Sequence, residues 1–198
     1  GADAGISPAT ASTSTLADIF ARAITATLTA NDKTYDGNVS ATGGLALNGV
    51  LTGDDVGITS GTVAFDSRNA GTGRTVTASG IGLTGADAGN YTVNVTATDL
   101  ADILARAITA TLAANDKTYD GTISATGSLA LNGVLAGDQV GVRGDLAFDS
   151  RNAGTRTVTA SGIGLTGADA GNYTVNASTS NLADIFARAI TATLTAND

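Results

Sequence analysis

Four tyrosines, eighteen acidic residues and ten lysines plus arginines carry the titratable side-chain chemistry of this 198-residue chain, and every acidic residue is Asp. With no His and no Cys, the commonest general bases, thiol nucleophiles and zinc ligands are missing. No glycine run carries Lys followed by Ser or Thr, so no phosphate loop is expected. The expectation is a protein that is not an enzyme. Carboxylate oxygens suit calcium, and Asp-rich junctions would suit an extracellular rod. Asp54, Asp55, Asp66, Asp87, Asp99 and Asp102 are the candidate ligands. Against them stand the lack of an Asp-x-Asp-x-Asp-Gly loop, the lack of Glu and the change of Asp55 to Gln139 in the second half. Each also lies near Gly or Asn, where Asp is an ordinary turn former. No cofactor is the first expectation, and calcium the alternative.

Tyr35-Asp36-Gly37 and Tyr119-Asp120-Gly121 repeat one motif. Asp-Gly signals a turn, and an aromatic beside it plugs a core while its hydroxyl finds a backbone partner; an exposed recognition pair is the competing reading. Tyr91 and Tyr173 each end an Asp-Ala-Gly-Asn-Tyr run, which is similar to the tyrosine corner of immunoglobulin-like sandwiches. The two lysines, Lys33 and Lys117, sit beside Asp in polar turns and are expected to be solvated. Asn38, Asn90, Asn94, Asn172 and Asn176 open Asn-x-Ser/Thr sites, and turn structure explains the Asn-Tyr-Thr pair without a glycan.

These residues recur because the chain is a tandem repeat. Ala-Arg-Ala-Ile-Thr-Ala-Thr-Leu starts at Ala21, Ala105 and Ala187. The second unit is two residues shorter: 58–60 becomes 142–143, and Gly73 has no counterpart before Arg156. The expected organisation is the tail of a preceding repeat at 1–20, module 1 at 21–104, module 2 at 105–186 and the start of a following repeat at 187–198. On this reading the chain is a window from a longer array.

Within each unit the hydrophobic period is two. Ile24, Ala26, Leu28 and Ala30 alternate with Thr, as Tyr91, Val93 and Val95 alternate with polar residues, the pattern of half-buried strands. Six or seven short strands between turns predict an all-β fold of tandem, small, immunoglobulin-like β-sandwich modules. The alternative is a β-grasp-like module with a short junction helix. It rests on Leu16, Ile19, Phe20, Ala23 and Ile24 at helical spacing and on the Asp18–Arg22 pair, cues that return at Asp99–Ile108 and Asn181–Ile190. A helix this short is marginal in water, so the extended form is expected.

Asn31-Asp-Lys-Thr-Tyr-Asp-Gly37, then Phe65-Asp-Ser-Arg-Asn-Ala-Gly71, then Gly80-Ile-Gly-Leu-Thr-Gly-Ala-Asp-Ala-Gly-Asn-Tyr-Thr92 occur in the same order twice. Together they resemble the YDG/MBG repeats of large exported bacterial adhesins, including filamentous-haemagglutinin-like exoproteins. The resemblance covers essentially the whole chain and implies β-rich modules strung along a surface stalk, outside the cell and without enzymatic chemistry. Where such repeats commonly read Ala-Asp-Ile-Thr-Pro-Arg, this chain has Ala17-Asp-Ile-Phe-Ala-Arg22, so a helix breaker is lost from the linker.

The expected function is a structural segment of an extracellular adhesin stalk or surface fibre, with neighbouring repeats as partners. A net charge of −8 argues against nucleic acid, and no apolar run is long enough for a spanning helix. A second reading is a filament joined by donation of the last strand, Ile190, Thr191, Ala192, Thr193 and Leu194, to another subunit's sheet edge. A third is a module that binds a glycan or host ligand, its specificity carried where the repeats differ, as at Thr62-Val63 against Asp145-Leu146.

Overall fold

The computed structural model describes residues 17–59 and 61–196. Most of the 1–20 tail, with Leu16, lies outside that range. Repeat 1 builds β1 (Arg22–Ala23), β2 (Thr25–Ala30), β3 (Lys33–Thr34), β4 (Gly43–Asn48) and β5 (Gly57–Thr59). It continues with β6 (Thr62–Phe65), β7 (Gly71–Ser79), β8 (Gly82–Thr84), β9 (Tyr91–Thr92) and β10 (Thr96–Leu104). Repeat 2 builds β11 (Arg106–Ala114), β12 (Lys117–Thr118), β13 (Gly127–Asn132) and β14 (Gly141–Phe148). After them come β15 (Gly154–Thr166), β16 (Tyr173–Val175) and β17 (Thr179–Phe186). The helical elements among the described residues are two 3-10 turns, Ala88–Asn90 and Ala170–Asn172.

The fold is all-β, and its sheets curl into half-barrels instead of forming a clear immunoglobulin-like sandwich. The main sheets are four-stranded, β3-β10-β7-β6 and β12-β17-β15-β14, with β2-β4 and β13-β11-β16 folded against them. The strand pairings fall within residues 22–104 or within 106–186. The junction helix of the β-grasp alternative does not form. Asp99–Leu104 continues β10, and only Ala105 separates it from β11.

Period-two patterning sets each face. In β11, Ile108, Ala110 and Leu112 are buried and the intervening residues are exposed. In β7 and β10, Val76, Ala78, Ala101 and Ile103 point into the core. Their counterparts Val158, Ala160, Ala183 and Ile185 do so in repeat 2.

The two lost residues have a visible consequence. With 142–143 in place of 58–60, β5 and β6 become the single strand β14, and β7 and β8 become β15. Gly73 sits at φ +61°, which suits glycine, in a bulge where the pairing of β7 with β10 shifts register. There Asp102 accepts the Gly73 N–H at 2.8 Å. Without that residue Asp184 pairs in register with Thr155.

Candidate functional site

Side chains of both repeats meet through hydrogen bonds and ion pairs where one repeat joins the next. The first half of this joint begins at the Tyr-Asp-Gly turn. Gly37 adopts φ +81°, open to glycine at little cost. Lys33 Nζ holds the turn from inside, donating to Asp36 Oδ1 and the Asn38 carbonyl at 2.8 Å and to the Ser40 carbonyl at 3.0 Å. It also lies 5.4 Å from the Phe65 ring centre. Lys117 repeats this with Asp120, Thr122, Ser124 and Phe148. The expectation of solvated lysines is corrected: their side chains are 16% and 17% exposed, because four oxygens and a ring face gather each ammonium. Burial raises the Asp36 carboxyl, but donors from Lys33 and Asn38 outweigh it and hold the group below its ordinary range. Lys117, then Thr122, brings Asp120 down to about 2.

So held, Tyr35 is fully buried. Its N–H donates to the Leu104 carbonyl at 2.8 Å. Its hydroxyl does not find the backbone partner expected of it. It crosses into repeat 2 and donates to Asp138 Oδ2 at 2.9 Å. The two ring centres of Tyr35 and Tyr173 lie 5.4 Å apart, edge to face. Burial first, and the Asp138 carboxylate second, push the Tyr35 phenol up to about 12.

The second half is the tyrosine corner. The Tyr173 hydroxyl accepts the Leu135 N–H at 3.1 Å and donates to Asp138 Oδ2 at 2.5 Å. Asp169, before the 3-10 turn, accepts the Gln139 N–H at 2.9 Å. In repeat 1 the corner is built alike: Tyr91 accepts from Leu51 and donates to Asp54, and Asp87 accepts the Asp55 N–H. The phenol thus bonds backbone, as the resemblance to a tyrosine corner implies, and adds a carboxylate.

A loop that sequence reasoning left without a role completes the joint. Arg68 reaches Asp138 at 3.2 Å and Asp169 at 2.8 Å. The Ala70 N–H donates to Asn172 Oδ1 at 2.8 Å, and Asn172 is itself buried. The Asp138 side chain is 3% exposed yet receives donors from Tyr173, Tyr35 and Arg68. Buried charge is tolerated when so satisfied. These donors, Tyr173 foremost, hold its carboxyl below the usual range. The apolar core also runs through, since Tyr35, Ile108 and Tyr173 belong to one buried cluster.

Among the described residues no group of three or more acidic residues is placed to hold a metal, and the calcium candidates serve other partners. Asp54 serves Tyr91, while Asp55 and Asp87 cross-link their two loops. Asp99 accepts the Ala30 N–H at 2.9 Å, and Asp102 serves Gly73. The Asp66 N–H closes onto the Thr75 carbonyl. Asn94 is occupied as well: its amide brackets the Ala26 N–H and carbonyl at 2.7 and 3.1 Å, and Asn176 does the same at Ala110. The Ile190–Leu194 segment forms no strand, and Ile190 and Leu194 are 91% and 96% exposed.

Comparison with known families matches the YDG domain twice, over residues 21–99 and 105–181. No curated protein and no solved structure matches the chain. The repeated Tyr-Asp-Gly turn that seats Tyr35 is therefore part of a shared pattern, and the chain belongs to the YDG domain family, with two copies in tandem.

Proposed function

We propose that this chain is a non-catalytic spacer, a structural segment of an extracellular bacterial adhesin stalk or surface fibre. The observation that carries the reading is the joint. A buried tyrosine, an arginine bridging two aspartates and a shared apolar cluster couple one repeat to the next. Coupling of this kind turns small β modules into a stiff rod, whereas a flexible tether would only add slack. The acidic, Thr- and Gly-rich surface favours solubility over adhesion to like-charged neighbours. The bacterial and extracellular parts of the proposal rest on the resemblance to adhesin repeats. The test is small-angle scattering on chains of two, four and six repeats. Maximum dimension rising linearly, by about 25–40 Å per repeat, supports a rod; growth that levels off contradicts it.

Strand donation is kept as the second reading because of one contrast. Ile190 and Leu194 are almost fully exposed, whereas their counterparts Ile108 and Leu112 are buried beside β13. In each repeat, however, that edge is already filled by the repeat's own strand, β2 on β4 and β11 on β13. Binding of a glycan or host ligand remains the third reading. Its test is a glycan array, with Thr62 and Asp145, exposed on β6 and β14, as the positions to vary.

A further inference from the structure

Asn38, Asn90, Asn94, Asn172 and Asn176 each open an Asn-x-Ser/Thr sequon, the acceptor pattern for an N-linked sugar. Transfer to a folded chain needs an exposed side-chain amide whose nitrogen is free, on an open turn that a transferase can grip. The fold separates the five sites by these needs. Asn94 Nδ2 donates to the Ala26 and Thr96 carbonyls at 3.1 and 2.6 Å. Asn176 Nδ2 donates to the Ala110 and Ser178 carbonyls at 3.3 and 2.8 Å. Both hydrogens of each amide are thus spent on backbone. Asn172 is 5% exposed, sealed within the joint. Its counterpart Asn90 is exposed, but it closes a 3-10 turn that runs straight into β9, where Thr92 pairs with Ala23.

Asn38 meets every need. Asn38, Val39 and Ser40 are all exposed. Asn38 Oδ1 accepts the Ser40 N–H at 2.8 Å, which closes an Asx turn, and the Lys33 ammonium at 3.2 Å. The amide is anchored through its oxygen, and its nitrogen donates to no protein group among the described residues. Repeat 2 shows that the turn does not require Asn. Thr122 stands there, its Oγ1 accepting from Lys117 at 3.3 Å and donating to Asp120 at 2.9 Å. An oxygen at this position is enough to hold the lysine cage. What Asn38 adds is a free nitrogen.

We infer that Asn38 is the acceptor site of this chain for an N-linked sugar. In the transfer, Asn38 Nδ2 attacks the anomeric carbon of a nucleotide-linked hexose held by a separate transferase. A C–N bond replaces the anomeric C–O bond, and the nucleoside diphosphate leaves with the bonding electron pair. One amide proton passes to a base of the transferase. Oδ1 keeps both of its donors, so the turn survives the modification. A Cβ built on Gly37 would lie 3.5 Å from Leu135 Cδ1 of repeat 2, which places the sugar at the rim of the joint. The inference does not rest on the spacer reading.

The test incubates the folded full chain with a soluble asparagine glucosyltransferase and UDP-glucose, and locates hexose by peptide mapping in a mass spectrometer. Asn90→Gln is carried in every sample, so that the sequon sealed in repeat 2 does not contribute from repeat 1. The expected result is one hexose on Asn38. It is incorporated about tenfold or more faster than on Asn94 or Asn176, whose amides must first give up backbone bonds. Asn38→Gln removes the label. So does Ser40→Ala, which keeps Asn38 and the backbone N–H that holds it. Thr122→Asn completes a sequon with Ser124 and gains a second hexose in repeat 2. Mapping of the protein isolated from the cells that make it finds Asn38 glycosylated. An unlabelled Asn38 in the folded chain overturns the inference, as does labelling of Asn94 or Asn176 at the same rate. A bare Asn38 in the protein from its own cells overturns it too.

Discussion

Asp54 and Asp138 are the same residue of the same motif, each receiving a tyrosine hydroxyl from its own repeat. Only Asp138 also receives Tyr35 and Arg68 from the preceding repeat. Tyr35 and Tyr119 differ in the same way: the first is fully buried against repeat 2, and the second is half-buried at an outer edge. The corner is therefore a property of the repeat, and its sealing is a property of the neighbour. Identical sequence yields two environments because the joint is made by two repeats at once.

The largest expected effect breaks that asymmetry. Asp138→Ala leaves two tyrosine hydroxyls without their acceptor and Arg68 with Asp169 alone, and costs about 3 kcal/mol in chemical denaturation. Asp54→Ala deprives only Tyr91 and costs clearly less; equal losses would mean that the neighbour adds nothing. Next, Tyr35→Phe costs about 1–2 kcal/mol, since it orphans a bond to a charged group. Tyr119→Phe stays within about 0.5 kcal/mol.

pH sharpens the contrast. The folded Asp138 carboxyl lies below its unfolded value, so its contribution is present above about pH 4 and fades as pH falls through the folded value. The folded Tyr35 phenol lies at about 12. Its contribution is intact below the unfolded value of about 10 and lost as pH rises toward the folded one. An alkaline loss of stability should shrink in Tyr35→Phe, leaving the part due to Tyr91 and Tyr173, whose phenols are also raised, and persist in full in Tyr119→Phe, as followed by thermal melts between pH 9 and 12. The smallest effect serves as the control. Lys33→Gln and Lys117→Gln each open a cage internal to its own repeat and should lower the melting temperature by similar, modest amounts.

Much of this was legible in the sequence. Alternation along Ile24–Ala30 gives a strand with one buried face, and the paired Asp-Ala-Gly-Asn-Tyr runs give a tyrosine held at a turn. The extended form of Asp99–Leu104 follows from Thr-rich alternation winning over a helical spacing too short to be stable alone. What could not be read was partnership. Because every motif occurs twice, the sequence alone does not say whether Tyr35 serves Asp54 or Asp138, and the true partner lies 103 positions away. Arg68 was hidden for the same reason, as a surface-like charge in a turn whose partners belong to the next repeat. The lysine cages escaped because their acceptors are mainly backbone carbonyls, which any sequence supplies. Bulges such as the one at Gly73 likewise lie outside what strand periodicity reports.

The most direct test of the central claim is a double-mutant cycle across the joint, with Tyr35→Phe and Asp138→Asn measured singly and together by denaturant unfolding of the whole chain. The account predicts a coupling of about 0.5–3 kcal/mol between residues of different repeats. Strictly additive losses would contradict it, because Tyr35 would then be buried by its own repeat and the two modules would share no working contact there.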